Sequence, residues 1–117
     1  IEQDINLKMS PQHAEQLFGN IFTNLKRHTP HDSKIEIELK NIGNKIYMRF
    51  EDSGPGMPND IYQNGIQAFQ RFDKSRSRET GGSGLGMTII RKVIEKYHGK
   101  IKLSQSKFGG LKMEIWF

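Results

Sequence analysis

The chain has 117 residues, a formal net charge of +5 and no cysteine. That length supports one hydrophobic core, and the missing thiols exclude disulfide staples and thiolate metal sites while fitting a reducing compartment. No apolar run approaches the roughly 20 residues that a membrane helix needs, and the start resembles neither a signal nor a transit peptide. The charge excess leaves nucleic acid open as a partner. However, Arg91, Lys92, Lys96, Lys100, Lys102 and Lys107 interleave with no clear stacking aromatic apart from Tyr97, so they serve equally well as a solvated face.

Residues 1–9 alternate loosely and are read as a strand or the end of one. Without an initiator methionine, the chain reads as a piece of something longer. Ser10-Pro11 is a helix-start pair, with serine at the cap and proline in the first turn. Ala14, Leu17, Phe18, Ile21, Phe22 and Leu25 then recur at helical spacing and form one apolar stripe. Asn20, Asn24 and Arg27 lie along one edge of that stripe. Asparagine is a poor helix former, so two of them one turn apart are either solvated or placed at the rim of a cavity. Thr29-Pro30 ends the helix.

Ile35, Ile37 and Leu39 alternate with Glu36 and Glu38, and Ile46, Met48 and Phe50 alternate with Tyr47 and Arg49. Joined by a turn centred on Gly43, these segments predict a β-hairpin with one wet face. Continuing the parity puts Asp52 on the apolar side. There it either begins the turn Ser53-Gly54-Pro55-Gly56 or faces the core and needs a partner.

Asn59 is placed as the cap of a short helix through Asn64, and Phe69 and Phe72 are apolar anchors. Arg71, Lys74, Arg76 and Arg78 form a second basic group just before the glycine cluster, and the polar, glycine-rich character of 75–82 suits a mobile lid. The glycine cluster Gly81, Gly82, Gly84 and Gly86 runs into a helix over 85–97, with Gly86, Ile89, Ile90, Val93 and Tyr97 on one face and Gly99 as its cap. Glycines before a helix start suit a phosphate, because the free N–H groups and the dipole favour an anion. Ile101 and Leu103, then Leu111, Met113, Ile115 and Phe117, predict a second hairpin turned at residues 108–110. The order of elements predicts an α+β two-layer sandwich: a mixed, mainly antiparallel sheet covered on one face by helices, as a single domain over 1–117.

Together these stretches resemble the sensor histidine kinases. Asn20 to Pro30 resembles the family's N box, Asp52-Ser53-Gly54-Pro55-Gly56 its first glycine box, Phe69-Gln70-Arg71 the end of its F box, and Ser75 to Gly86 its lid and second glycine box. Four weak motifs in the family order support one another. The resemblance implies the ATP-binding catalytic domain of such a kinase, with the Bergerat fold and an ATP lid. It implies that Asn24 ligates Mg2+ with help from Asn20, that Arg27 contacts phosphate, and that His28 packs over the nucleotide. Asp52 would accept the exocyclic amine of adenine, with Gly54 and Gly56 letting the backbone pass close to the base. Phe69 would line the ATP site, while Arg71, Lys74 and Arg76 reach the phosphates and Gly82, Gly84, Leu85 and Gly86 wrap them. Ile66 departs from the usual F-box phenylalanine, Leu25 from the common alanine, and Gly19 is a mild cost within its helix.

The implied function is donation of the γ-phosphate to a histidine on a separate dimerisation and phosphoacceptor domain, feeding a response regulator indirectly. Alternatives are an ATPase or an anti-sigma serine kinase of the same superfamily. The ATPase relatives carry a glutamate four residues before the Mg2+-binding asparagine. Asn20 stands there, and an amide cannot serve as base at neutral pH. None of His13, His28, His31 and His98 sits in an acceptor motif. The domain is therefore expected to be a cytoplasmic, monomeric donor half without a nucleic-acid partner, belonging to a parent that could be membrane-anchored.

Overall fold

A computed structural model describes residues 8–28, 33–80 and 86–117, apart from the side chains of 27, 28, 73 and 76–80. Its elements are α1 (Pro11–His28), β1 (Ile35–Ile42), β2 (Lys45–Asp52), α2 (Asn59–Asn64), α3 (Ile66–Thr80), α4 (Gly86–Lys96), β3 (Lys100–Gln105) and β4 (Leu111–Trp116). The possible strand over residues 1–9 falls, for residues 1–7, outside the described residues.

Strand alternation sets the architecture. The sheet order is β1-β2-β4-β3, and every pairing among the described residues is antiparallel, in keeping with the mainly antiparallel sheet expected. The register aligns Ile37, Phe50, Met113 and Leu103 in one row and Leu39, Met48, Ile115 and Ile101 in the next. These rows form the inner face, and Leu17, Ile21 and Leu25 of α1 with Met87, Ile90, Val93 and Ile94 of α4 join them in one core. Full burial of a side chain such as Phe50 contributes about 1.5–3 kcal/mol.

The stripe on α1 is narrower than its spacing predicts. Leu17 and Ile21 are buried, whereas Phe22 is 48% exposed, stacked on Phe18 with ring centroids 6.5 Å apart and edge-on to Phe50 at 6.2 Å. Ser10 caps the helix as expected, its hydroxyl accepting the His13 N–H at 3.2 Å. The face of α4 is shifted toward Met87 and Ile94, with Ile89 only half-buried.

The reverse face of the sheet carries polar, part-exposed side chains, as alternation predicts, but its centre is buried. Tyr47 and Glu51 are buried there. Arg49 reaches Glu36 at 2.8 Å and Glu38 at 3.5 Å and pairs with Glu51, while the Tyr47 hydroxyl donates to Glu114 Oε2 at 2.7 Å. Cross-strand pairing of long polar side chains, with Trp116 tilted against Tyr47, covers the centre of this face, and no helix among the described residues packs on it.

Three local readings are corrected. Pro58, not Asn59, occupies the cap position of α2, and no side chain caps it. Residues 75–80 are helix rather than loop and continue α3 to Thr80; Lys, Arg and Glu are good helix formers and no glycine or proline interrupts them before Gly81. The left-handed residue after α4 is His98, with φ 58°, rather than Gly99. His98 N–H donates to the Glu95 carbonyl at 3.1 Å and Gly99 N–H to that of Ile94 at 2.8 Å, a Schellman ending. Gly99 is needed for space instead, since a Cβ there would lie 2.7 Å from the Trp116 carbonyl oxygen.

Two outcomes follow for stability. His98→Gly should stabilise the protein by about 1 kcal/mol by removing the left-handed penalty, and Gly99→Ala should destabilise it by about 1–3 kcal/mol through overpacking, both measured by urea denaturation. Burial, reinforced by the bond to Glu114, pushes the Tyr47 hydroxyl up to about 12. The folded state thus favours the neutral phenol, whose stabilisation is complete below pH 10 and lost as pH rises through about 12. Tyr47→Phe should flatten this alkaline decline in a melting-temperature series.

Candidate functional site

A tight cleft with only about 10 Å3 of free space, room for about one water, lies between the helices and the inner face of the sheet. Ile21, Asn24 and Leu25 of α1 form one wall, Phe50 and Asp52 of β2 the floor, Phe69 of α3 a second wall, and Leu111 and Met113 of β4 the remainder. It is an apolar slot carrying one carboxylate and one amide, the composition of a site that encloses a flat ring and orients it with few polar groups.

The parity of β2 delivers Asp52 inward, 3% exposed. Its Oδ1 accepts the Gly54 N–H at 3.0 Å and the Leu111 N–H at 3.2 Å, and Oδ2 takes part in neither bond. Gly54 therefore acts through its backbone. Gly56, at φ 76°, lies against the β3–β4 turn, where a Cβ would stand 3.0 Å from the Gly109 carbonyl oxygen.

At the neighbouring end, α1 presents its two asparagines to the start of α4. Asn20 Nδ2 donates to the Gln16 carbonyl at 2.6 Å, and Asn24 Nδ2 makes a weak bond to Met87 Sδ at 3.7 Å. Both amide oxygens face Gly86: a Cβ there would lie 3.2 Å from Asn20 Oδ1 and 3.5 Å from Asn24 Oδ1. Two hard oxygen donors thus converge on a helix N-terminus, beside the slot that holds Asp52.

Not every expected site residue joins this group. Phe69 does, fully buried and stacked on Phe72. Arg71 is 70% exposed with its guanidinium 3.9 Å from Asp60, and Lys74 is exposed; neither lines the cleft. Gly82, Gly84 and Leu85, together with the side chains of Arg27, His28 and Arg76, lie outside the described residues. Gly110, read from the sequence only as part of a turn, belongs to the site. A Cβ on it would overlap Oδ1 and the carbonyl oxygen of Asp52. The paired glycines 109 and 110 were the available signal, but nothing in them points to residue 52.

The model of the histidine kinase-, DNA gyrase B- and HSP90-like ATPases matches residues 9–117. The chain belongs to this family. Among relatives, it is 34% identical over 100 residues to the signal transduction histidine-protein kinase BaeS of Escherichia coli, covering 86% of this chain and 21% of BaeS. It is 33% identical over 107 residues to the sensor histidine kinase CpxA of E. coli, covering 92% and 23%. The catalytic domain of histidine kinase ThkA superposes with a TM-score of 0.78 at 26% identity, covering 99% of this chain and 74% of that one. The fold is thus that of histidine kinase catalytic domains, and ATP is the nucleotide the family implies. The chain spans about a fifth of the length of the curated relatives it matches.

The two glycines of the β3–β4 turn make a test of the site's framework. Gly109→Ala, at φ 95° with open space around it, should cost about 1–2 kcal/mol. Gly110→Ala should cost more than about 3 kcal/mol or prevent folding, because backbone must move. Thermal melts of the two variants give the comparison.

Proposed function

We propose that residues 1–117 form one catalytic domain of a sensor histidine kinase, which binds Mg-ATP and presents its γ-phosphate to a histidine on a separate dimerisation and phosphoacceptor domain. The observation that carries this reading is the buried Asp52 carboxylate in an apolar slot, next to two amide oxygens gathered at the start of α4.

Each residue then has a chemical role. Asp52 accepts the exocyclic amine of adenine, while Phe69 and the apolar walls hold the ring. Gly54 and Gly56 shape the loop that borders the base. Phosphates lie toward the start of α4, where Gly82, Gly84, Leu85 and Gly86 offer backbone N–H groups. Arg27, Arg71, Lys74 and Arg76 supply positive charge, Arg71 by leaving the weak, exposed pairing with Asp60. His28 packs over the nucleotide.

The donor set suits Mg2+ in part. An amide oxygen is a hard ligand, and Mg2+ takes few protein ligands when phosphates and waters complete its shell. Asn24, assisted by Asn20, would hold the ion, which when bound neutralises phosphate charge. The residues themselves orient the nucleotide and exclude water, the main contributions a protein makes to phosphoryl transfer.

Transfer is favoured over hydrolysis. Asn20 has its Nδ2 engaged by the Gln16 carbonyl and has no group that can take a proton from water. Self-phosphorylation on the described histidines is also disfavoured. His98 ends α4, and His13 Nδ1 bonds the Tyr97 hydroxyl at 2.6 Å; neither lines the cleft. The phosphoacceptor domain is the direct partner and a response regulator the indirect one, with the isolated chain monomeric and no nucleic acid required. We place the domain in the cytoplasm, where ATP is; among the described residues no helix is long and apolar enough to cross a membrane.

Labelled ATP, the chain and a candidate acceptor domain test the reading together. Acid-labile, base-stable label on the acceptor supports it, and free phosphate released without any acceptor overturns it. Asp52→Asn should weaken binding of a non-hydrolysable ATP analogue about 10–100-fold by calorimetry with the fold intact, and Asn24→Ala should remove the Mg2+ dependence of that binding.

A further inference from the structure

Glu51 precedes Asp52 in β2, faces the opposite side of the sheet, and is 2% exposed. None of the nucleotide contacts above uses it. A buried carboxylate is costly unless it is paired and hydrogen-bonded, so its partners carry information. Oε2 pairs with Arg49. Oε1 accepts the Ser106 hydroxyl at 2.9 Å and the Lys107 N–H at 3.3 Å. Apart from Arg49, these donors come from the turn between β3 and β4.

That turn is tightly built. Ser106 Oγ also accepts the Phe108 N–H at 3.0 Å, Ser106 N–H donates to the Gly110 carbonyl at 2.7 Å, and Gly109 N–H to the Ser106 carbonyl at 2.9 Å. Its far end sets Gly110 against Asp52 and directs the Leu111 N–H to Asp52 Oδ1 at 3.2 Å. The Tyr62 hydroxyl accepts the Met57 N–H at 3.0 Å and donates to the Gly110 carbonyl at 3.4 Å, tying the same turn to the loop after β2. Neighbouring carboxylates on opposite faces of one strand therefore grip the two ends of one turn.

We propose that Glu51 and Ser106 are positioning residues for base recognition: they anchor the β3–β4 turn so that its Leu111 N–H holds Asp52 Oδ1, which reserves Oδ2 for the amine of the base. The proposal rests on the assignment of Asp52 as the base acceptor. Neither residue touches the nucleotide. Their effect passes through the orientation of one carboxylate, so it should be felt by nucleotides that carry a 6-amino group and not by those that lack it.

The test compares the affinities of AMPPNP and of purine riboside triphosphate, which lacks the 6-amino group, by calorimetry at fixed Mg2+ on variants shown by melting to be folded. The unaltered chain should prefer the amino nucleotide by roughly tenfold or more. Ser106→Ala should lose most of that preference while binding the deamino nucleotide about as before, and Ser106→Thr, which keeps a hydroxyl, should restore it. Glu51→Gln should fall between, since its amide oxygen can still accept from the turn. Should Ser106→Ala not fold, Tyr62→Phe loosens the same turn from its other side and should lower the preference likewise. An unchanged preference in the folded variants, alongside its loss in Asp52→Asn, overturns the positioning role and leaves the base assignment standing. An equal loss for both nucleotides also overturns it, as the mark of a merely structural role. A preference that survives in Asp52→Asn removes the base assignment itself, and the proposal with it.

Discussion

Burial of the Asp52 carboxylate at the end of a central strand is the constraint around which the rest of the site is arranged. A charge in an apolar slot must be met by donors, and here two backbone N–H groups meet it, one from the loop that follows and one from β4. Accepting the second bond requires β4 to enter at one register, and that register requires a residue without a side chain at position 110. The β2–β4 pairing, the glycine pair and the shape of the slot therefore belong to one solution of a single electrostatic problem.

The end proposed for the phosphates is built on a different principle. Among the described residues it holds no buried charge; α1 and α4 cross so that amide oxygens of one face the first turn of the other. At the opposite ends of the same helices, the Tyr97 hydroxyl accepts the Ser10 N–H at 3.1 Å and bonds His13. The helix pair is thus fastened away from the site as well as at it, which keeps the start of α4 in a defined place relative to Asn24.

Much of this was legible in the residues because it depends on period. The alternation in β2 forecasts an inward Asp52, and helical spacing forecasts that Asn20 and Asn24 share an edge of α1. What escaped depends on packing between distant segments. Glu51 reads as solvent-facing by the same alternation that places Asp52, and only the folding of residues 106–108 over it reverses that. His98 in a left-handed conformation is hidden because Gly99, the residue type that usually takes it, stands next in line but is required where the chain passes Trp116. The polar stretch 75–80 looks like loop by composition, yet its helix formers extend α3 until the first glycine.

The contacts that create the cleft also join parts of the chain that are far apart in sequence. The Asp52–Leu111 bond spans 59 residues and the Asn24–Met87 bond 63. Neither exists in a hairpin or a helix formed alone, so a partly assembled chain has no cleft to offer. A ligand that recognises only the finished arrangement draws its stabilising effect from the whole folding equilibrium, in proportion to the logarithm of its concentration over its dissociation constant. In such a fold, occupancy of the nucleotide site and completion of the tertiary structure are reciprocally linked, and saturation with nucleotide protects strands that never touch it.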